Sequence, residues 1–387
     1  MNSVCLHNGT ILTGFSTIEN CALVVENGHI ADIFAEKRLT QKIFPRNTKL
    51  IDVQGAYIVP GFIDTHIHGS GGFGTEDETA ESLLELSKFL VQYGVTAFNP
   101  TLYPSKNLPQ VLAALVPALG NEQGAAVMGF HLEGPFLSPQ RIGVQKPETL
   151  HAVDIPYMKT LYNAAKGHIV NMTVAPELKN MHDLALYCGK EGIVLQAGHT
   201  NAAYENMLEG ILAGILHTTH LFNAMSAMEH RNPNAVGAAL IHREMTCEII
   251  ADGHHVHKAL FQFLLRDKSS ANIVLVTDSL KPTGQAAPPF YANKEEVVFS
   301  SGLWTRKSDG VIAGSALTMI KGVENLTKFG FSLEDAVRAA STNPARIMGY
   351  AKKGAIIPGY DADLTVFDKN WNILTVIAGG QVVYGDA

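Results

Sequence analysis

Six side chains that can bind a metal ion or exchange protons stand at the ends of separate apolar segments. They are His66 and His68 in GFIDTHIHG, Glu133 in GFHLEGP, His199 in LQAGHT, His220 in THLFNAM and Asp278 in VLVTDS. Neutral imidazole and carboxylate groups hold divalent ions such as zinc and leave coordination positions open for water. The set therefore favours hydrolysis over electron transfer or a structural zinc site.

Each of these side chains taken alone has an ordinary structural explanation. An isolated His-x-His pair is more often hydrogen-bonded than metal-bound, although His66 and His68 face the same side of a strand. Glu133 alone is consistent with a salt-bridged carboxylate, and His199 or His220 alone with a satisfied core histidine. Because independent core histidines have no reason to occupy successive strand ends, the shared position favours ligands. A buried Glu133 is then predicted to bridge two ions.

Eight apolar segments in the middle of the chain predict β-strands, most of them followed by helical spacing. They are Tyr57–Ile63, Val95–Pro100, Val127–Leu132, Ile169–Ala175, Ile193–Ala197, Ile215–Leu221, Cys247–Ala251 and Ile273–Thr277. This alternation is typical of a (β/α)8 barrel of the α/β class, whose active site lies at the C-terminal ends of the strands. All six candidate residues lie there. Asp278, after the eighth strand, is predicted to be the general base.

Both ends of the chain consist of short apolar pieces separated by turn residues. Residues 1–57 and 355–387 are predicted to form one small β-sandwich domain, flanking a catalytic barrel of residues 58–354. Within the first part, Glu26-Asn27-Gly28-His29 is predicted to be a β-hairpin turn.

The composition limits the class of protein and its partners. A chain of 387 residues with 46% hydrophobic content can bury a large core. A net charge of −7 without a Lys/Arg run argues against nucleic acid or an anionic membrane as the main partner. Four cysteines without CxxC spacing favour reduced thiols. We found neither a secretory signal nor an apolar run long enough to span a bilayer, so the predicted location is the cytoplasm.

Seven segments extend over nearly the whole chain in one order: PGFIDTHIHG, HLEGPF, AGHT, THLFNAM, IADGHHV, VTDS and AGSALTM. By these segments the chain resembles the amidohydrolase superfamily, and within it the N-acetylglucosamine-6-phosphate deacetylase family. The resemblance implies a barrel with a small β-sandwich from both termini. It also implies Glu133, His199 and His220 as metal ligands. Many members have lost the His-x-His pair and hold one ion, whereas His66 and His68 are intact here.

The resemblance further implies the cofactor and the reaction. One or two divalent ions per subunit are expected, zinc or iron first and manganese or cobalt next. The implied reaction converts N-acetyl-D-glucosamine 6-phosphate into D-glucosamine 6-phosphate and acetate, a step of amino-sugar catabolism. A metal-bound hydroxide would attack the acetamido carbonyl, and Asp278 would transfer the proton to the departing amine. The family also implies a homodimer.

Substrate-binding positions follow from the resemblance alone. They are Val144, Gln145, Asn223, Ala224, Arg231, His255, Ile312, Ala313 and Gly314. Two positions depart from the family pattern. Gln145 replaces the usual histidine, which touches the substrate carbonyl, and Asn234 replaces a glycine, so the loop that carries Arg231 is expected to be set differently.

The sequence leaves three alternatives to this deacetylase open. The first is an N-acetylgalactosamine-6-phosphate deacetylase, which only substrate comparison separates from the gluco enzyme. The second is an amidohydrolase that acts on a cyclic amide; such enzymes commonly use a carboxylated lysine as the bridging ligand, a role that Glu133 takes here. The third is a noncatalytic barrel, which should have lost ligands that this chain retains.

Overall fold

The computed structural model describes residues 3–385, so residues 1, 2, 386 and 387 of the predicted terminal domain lie outside the described residues. The strands are β1 (Ser3–Leu12), β2 (Thr17–Glu26), β3 (His29–Ala35), β4 (Thr48–Asp52), β5 (Tyr57–Pro60), β6 (Phe62–Ile67), β7 (Gly69–Ser70), β8 (Phe73–Gly74), β9 (Val95–Leu102), β10 (Ala126–Val127), β11 (Phe130–Glu133), β12 (Ile169–Val174), β13 (Val194–Ala197), β14 (His217–Thr218), β15 (Thr246–Ile250), β16 (Ile273–Val276), β17 (Phe290–Ala292), β18 (Glu295–Ser300), β19 (Leu303–Arg306), β20 (Leu364–Phe367), β21 (Ile373–Ala378) and β22 (Gln381–Tyr384).

The α-helices are α1 (Ala80–Leu90), α2 (Leu108–Leu115), α3 (Ile155–Ala164), α4 (Met181–Lys190), α5 (Tyr204–Leu212), α6 (Asn234–Ile241), α7 (Lys258–Asp267), α8 (Met319–Lys328), α9 (Leu333–Ala340) and α10 (Thr342–Ile347). Between residues 3 and 385, no helix combines the length and the apolar character needed to cross a membrane.

Eight parallel strands form the barrel, namely β6, β9 and β11 to β16, and one of the helices α1 to α8 follows each of them. Neighbouring strands pair in parallel, as Met172 does with Leu195 between β12 and β13. The barrel closes where the Asp278 N–H donates to the His66 carbonyl oxygen at 2.9 Å. Strands such as β16 are buried along their whole length, which explains their continuous apolar sequence.

Both ends of the chain build one eight-stranded sheet in the order β22-β21-β20-β5-β1-β2-β3, with β4 also paired to β1. Its buried side chains, such as Leu6, Leu23 and Leu364, form a core of their own. Asn27 and Gly28 have φ angles of 52° and 83° between β2 and β3, as a two-residue hairpin turn of type I′ requires. The predicted hairpin and the predicted fold class, a (β/α)8 barrel with a small β-sandwich from both termini, are confirmed.

The segment predicted as the first barrel strand, Tyr57–Ile63, is divided at Gly61. Its first half is β5 of the terminal sheet and its second half begins β6 of the barrel. At Gly61 the backbone passes so close to Thr96 that a Cβ atom would lie 2.1 Å from the Thr96 Oγ1. The prediction of a single strand was wrong because the apolar pattern continues unbroken through this crossing point.

A three-stranded antiparallel sheet, β17-β18-β19, is inserted between β16 and α8. Trp304 lies in its core together with Leu280, Ala292 and Ala313. Val144, from the loop after β11, packs against the same core. The insertion therefore supports a loop at the mouth of the barrel. This three-stranded sheet was not predicted from the sequence.

Replacement of Gly94 by alanine should destabilise the contact between the barrel and the terminal sheet. Gly94 has a φ of 81°, and a Cβ there would lie 2.8 Å from both Phe62 and Thr365. Left-handed backbone strain and overpacking together should lower the free energy of unfolding by about 3 kcal/mol. The matched control is Gly55→Ala, because Gly55 has a φ of 80° and open space around it. The control should lose only about 1 kcal/mol in urea unfolding, and equal losses in the two variants would contradict the packing argument.

Candidate metal centre

The barrel brings the six predicted side chains together at its C-terminal mouth, and each of them is buried. They come from the end of β6 (His66, His68), the end of β11 (Glu133), and the turns after β13 (His199), β14 (His220) and β16 (Asp278). Their ligand atoms fall into two groups, each within 4.8 Å: His66, His68 and Asp278 in one, Glu133, His199 and His220 in the other.

Three of these residues leave their strands in the left-handed backbone region. The φ angles are 47° at His199, 28° at His220 and 49° at Asp278. This conformation costs a non-glycine residue about 1 to 3 kcal/mol, and residues held in such conformations cluster at active sites. It turns the chain sharply at the barrel mouth, where the three side chains line one cavity.

The Glu133 carboxylate lies between the two groups. Its Oε1 is 3.0 Å from the Nε2 of His199 and 3.2 Å from the Nε2 of His220. The Nε2 atoms of these two histidines are only 3.1 Å apart. On the other side, the Glu133 Oε2 is 3.4 Å from the Nε2 of His68. Glu133 is therefore the one carboxylate of the centre that reaches imidazoles of both groups.

Hydrogen bonds at the outer ring nitrogen fix the tautomer of three histidines. The Nδ1 of His199 donates to the Arg141 carbonyl oxygen at 2.9 Å, and the Nδ1 of His68 to the Thr101 carbonyl oxygen at 3.1 Å. These oxygens can only accept, so the Nδ1 atoms carry the hydrogens. The Nδ1 of His66 likewise faces the Glu248 carboxylate at 3.0 Å. In the neutral rings, each Nε2 therefore presents a lone pair to the centre, as metal ligation requires.

The donor set fits a divalent cation. The Nε2 of His66 is buried without a hydrogen-bond partner and lies 3.5 Å from both the Glu133 Oε1 and the Asp278 Oδ1. An imidazole nitrogen that faces two carboxylate oxygens requires a positive charge, which a proton on the ring supplies in the metal-free protein and a divalent ion can supply in its place. Imidazole nitrogen and carboxylate oxygen are ligands that zinc and iron accept. The residues can therefore hold such an ion.

Opposite charges in the centre stabilise one another, and this shifts the pKa values of its buried groups. Burial opposes a charge on His66, but the carboxylates of Asp278, Glu248 and Glu133 raise its pKa from 6.5 to about 10. Burial also opposes ionisation of Asp278, but the nearby imidazoles, His66 first, hold its pKa below the ordinary value. Burial also opposes ionisation of Glu133, but His199, His220 and His68 together hold its pKa well below the ordinary value. The carboxylates are thus ionised at neutral pH.

A cavity of about 450 Å³ opens above the centre. All the predicted metal and proton-transfer residues line it, except the fully buried His66. Seven of the nine predicted substrate-binding residues also line it, namely Val144, Gln145, Asn223, Ala224, His255, Ile312 and Gly314. The volume is in the range of small-molecule sites.

The structure does not bring Arg231 or Ala313 to this cavity. Arg231 lies in an exposed loop, so within one chain its predicted contact with the substrate is not made. Ala313 is buried in the core of the three-stranded sheet instead. Its neighbours Ile312 and Gly314 do line the cavity. Arg231 and Ala313 lie outside the cavity because of the local direction of the backbone, which cannot be deduced from matching short sequence segments.

Several cavity residues were missed by the sequence analysis. The most informative is Tyr103, whose ring stacks on that of His68 with centroids 3.9 Å apart and planes 2° apart. Arg141 is the one arginine or lysine among the residues that line the cavity. No sequence signal marked Tyr103, whereas Arg141 stands four residues before Gln145, which departs from the family pattern. The others are Gln140, Ile142, Gly143 and Val311.

Gln145 and Asn234, the two residues that depart from the family pattern, each have a defined place in the structure. The Nε2 of Gln145 donates to the Glu133 Oε2 at 2.6 Å, so this amide orients the central carboxylate. Asn234 has a φ of 54°, in the left-handed region that asparagine enters more readily than most residues. Asparagine thus takes up a backbone conformation that glycine would also adopt.

Comparisons with known proteins identify the family to which this chain belongs. The model of the amidohydrolase family matches residues 57–383. The N-acetylglucosamine-6-phosphate deacetylase of Bacillus subtilis (strain 168) is 31% identical over 99% of this chain and 97% of that protein. The N-acetylgalactosamine-6-phosphate deacetylase of Shewanella sp. (strain ANA-3) is 30% identical over 97% of this chain and 94% of that protein.

Solved structures give the same result. The N-acetyl-D-glucosamine-6-phosphate deacetylase of Mycobacterium smegmatis, in complex with N-acetyl-D-glucosamine-6-phosphate, superposes with a TM-score of 0.91. Its sequence is 26% identical, and the superposition covers 99% of this chain and 100% of that one.

Binding of a divalent ion should release protons, and the affinity should rise with pH. Because the pKa of His66 is raised to about 10, its ring carries a proton at neutral pH that an ion must displace. Below that pKa, each displaced proton should strengthen binding about tenfold per pH unit. Calorimetric titration of metal-free protein with Zn²⁺ in buffers of different ionisation enthalpy measures the protons released. Affinity independent of pH between about pH 6 and about pH 9 would contradict this account of the centre.

Proposed function

Because this chain belongs to the amidohydrolase family, we propose that it hydrolyses N-acetyl-D-glucosamine 6-phosphate to D-glucosamine 6-phosphate and acetate. It is a metal-dependent hydrolase of amide bonds. The observation that carries the proposal is the position of Glu133 between two groups of ligand atoms, at the base of a cavity of about 450 Å³. Relatives of nearly full length with this activity support the same substrate.

The residues around Glu133 would hold the metal. Glu133, His199 and His220 form one position, and His66, His68 and Asp278 form the second, so we propose one or two ions per subunit. Zinc or iron is favoured by the imidazole ligands, with manganese or cobalt as further candidates. When bound, such an ion supplies Lewis acidity to a carbonyl oxygen and lowers the pKa of a water molecule.

Asp278 is proposed to move the proton. Its carboxylate is ionised and lines the cavity, with Oδ1 3.4 Å from the Nε2 of His68. Glu133 is less suited to this role because it already accepts from Gln145 and faces two imidazoles. Asp278 would accept a proton from the attacking water and deliver it to the nitrogen of the departing amine.

The cavity also offers groups for a phosphorylated sugar. His255 lines it, and burial disfavours its charge, but Asp252 at 2.6 Å raises its pKa. Asn223 and Arg141 provide further polar contacts on the cavity wall. A guanidinium, and an imidazole whose protonated form a neighbouring carboxylate stabilises, are suitable partners for a phosphate. We propose that these side chains bind the substrate.

We propose a homodimer in which Arg231 would reach the substrate of a neighbouring subunit. The proposal is supported by the exposure of Arg231 and by its absence from the residues that line the cavity of its own chain. We also propose the cytoplasm as the location, because all four cysteines are free thiols.

We also propose that the chain forms two domains, a β-sandwich of residues 1–57 with 355–387 and a catalytic barrel of residues 58–354.

The second candidate substrate is N-acetylgalactosamine 6-phosphate. The specific observation in its favour is the 30% identity to the Shewanella deacetylase of that name. A cyclic amide is less favoured, because the central ligand is Glu133 and the relatives with long alignments are named as amino-sugar phosphate deacetylases.

Acetate release from the two epimers tests the function. Metal-loaded protein should release acetate from N-acetyl-D-glucosamine 6-phosphate faster than from the galacto epimer, and a chelator should stop the reaction. The unphosphorylated sugar should react with a much lower kcat/KM, because its binding lacks the phosphate contacts. A faster reaction of the galacto epimer would reassign the substrate. No release from either epimer, with metal demonstrably bound, would exclude the function.

Asp278→Asn should lower kcat at least about 1,000-fold, because an amide cannot accept and return the proton. The protein should still bind metal through Glu133, His199 and His220, which elemental analysis measures. The control is Asp267→Asn, at an exposed position near the end of α7, which should leave the rate unchanged. A variant at Asp278 that keeps its metal and a near-normal rate would remove this residue from the mechanism.

A further inference from the structure

A row of polar side chains, all buried except the half-buried Tyr350, crosses the barrel beneath the metal centre. The Tyr350 hydroxyl donates to the Asn99 Oδ1 at 2.7 Å, and the Asn99 Nδ2 donates to the Asn171 Oδ1 at 3.1 Å. The Asn171 Nδ2 then donates to the Gln196 Oε1 at 2.6 Å. The Gln196 Nε2 donates to the Glu248 Oε1, also at 2.6 Å. The row ends at Glu248, a buried carboxylate that has no role in the proposed reaction.

One backbone carbonyl group determines which way the hydrogen bonds of this row run from donor to acceptor. The Asn171 Nδ2 is also 3.3 Å from the Thr65 carbonyl oxygen, which can only accept a hydrogen bond. The amide nitrogen of Asn171 must therefore point toward Thr65 and Gln196. Gln196 then turns its oxygen to Asn171 and its nitrogen to Glu248. The donor end of the row is consequently aimed at the Glu248 carboxylate.

Glu248 receives donors from the metal centre as well. The backbone N–H of His220 donates to its Oε2 at 3.3 Å, and the Nδ1 of His66 lies 3.0 Å from the same oxygen. An ionised carboxylate oxygen can only accept hydrogen bonds, so the Glu248 Oε2 accepts from both the His220 backbone N–H and the His66 ring. The Nδ1 of His66 therefore carries a hydrogen. When an ion displaces the proton from the Nε2 of His66, the lone pair of that nitrogen faces Glu133 and Asp278.

Packing alone does not explain a glutamate at this position. Glu248 is fully buried in the apolar strand β15, TCEII, and an unpaired carboxylate there would be costly. The described residues place no lysine or arginine in an ion pair with it; its ion-pair partners are His66 and His217, the latter at 3.7 Å. A glutamine of the same shape would fill the space without a charge. The charge therefore points to His66 as the group that needs it.

We propose that Glu248 is a positioning residue that fixes the tautomer and direction of His66 and so strengthens binding of a divalent ion. The inference rests on the metal dependence in the proposed function and adds a residue that acts through a ligand. A carboxylate on the outer nitrogen makes the inner nitrogen of an imidazole a better electron donor. Loss of such an outer partner commonly weakens metal binding about 10- to 100-fold.

The test is a metal titration of four proteins in a double-mutant cycle. Metal-free native protein, Glu248→Gln, His66→Ala and the double variant are titrated with Co²⁺, and the bound ion is followed by its visible absorption. Glu248→Gln should weaken binding about 10- to 100-fold in the native background. It should change binding less than about twofold in the His66→Ala background, because the effect passes through His66. The control Glu244→Gln removes an exposed carboxylate near the start of β15 and should change nothing.

A structural role would give a different pattern. Tyr350→Phe removes the far end of the row and should lower the thermal midpoint without changing the affinity for Co²⁺. An equal loss of affinity from Glu248→Gln in both backgrounds would mean a general disturbance of the barrel and would overturn the proposal. No loss in the native background would also overturn it.

The tautomer of His66 supplies a readout that needs no variant at Glu248. Nitrogen NMR of the zinc-loaded native protein, with His66→Ala to assign the signal, should show the hydrogen on Nδ1. A hydrogen on Nε2 would overturn the proposal even if Glu248→Gln failed to fold. These measurements use the metal alone, so a protein that released no acetate would contradict the proposed function and leave this test intact.

Discussion

The buried carboxylate of Glu133 is the interaction on which the site depends. Two imidazoles approach its Oε1 within 3.2 Å, and the His68 imidazole and the Gln145 amide approach its Oε2. A carboxylate taken out of water is costly unless positive charge and donors surround it. A divalent ion meets this requirement, and the barrel supplies two groups of ligands from five of its strands, which could hold one or two such ions. The closed ring of strands is what makes these ligands converge.

Much of this arrangement was predictable from the sequence, because strand ends are visible in it. An apolar run that stops at a histidine or an aspartate marks both the strand and the position of its functional side chain, as in VLVTDS before Asp278. The Asn27-Gly28 turn was predictable for a similar local reason, since few residue pairs accept two positive φ angles. In both cases the chemistry of one or two residues determines the local structure.

Other features depend on contacts between distant segments and left no local signal. The break at Gly61 follows from the close approach of Thr96, and Arg231 lies away from the cavity because its loop turns outward into solvent. Tyr103 meets His68 only because β9 lies beside β6. Glu248 is hidden in an apolar run, where its sequence neighbours give no indication of the histidine that it contacts. Three-dimensional pairing alone reveals such residues.

The account makes Glu133 the centre of metal binding, and anomalous X-ray scattering from a zinc-loaded crystal tests this directly. Data collected on both sides of the zinc absorption edge locate each ion without reference to the expected ligands. The account predicts a peak within about 2.0 to 2.2 Å of a Glu133 oxygen and of the Nε2 atoms of His199 and His220. A fully occupied peak elsewhere, with Glu133 left without a metal neighbour, would contradict it.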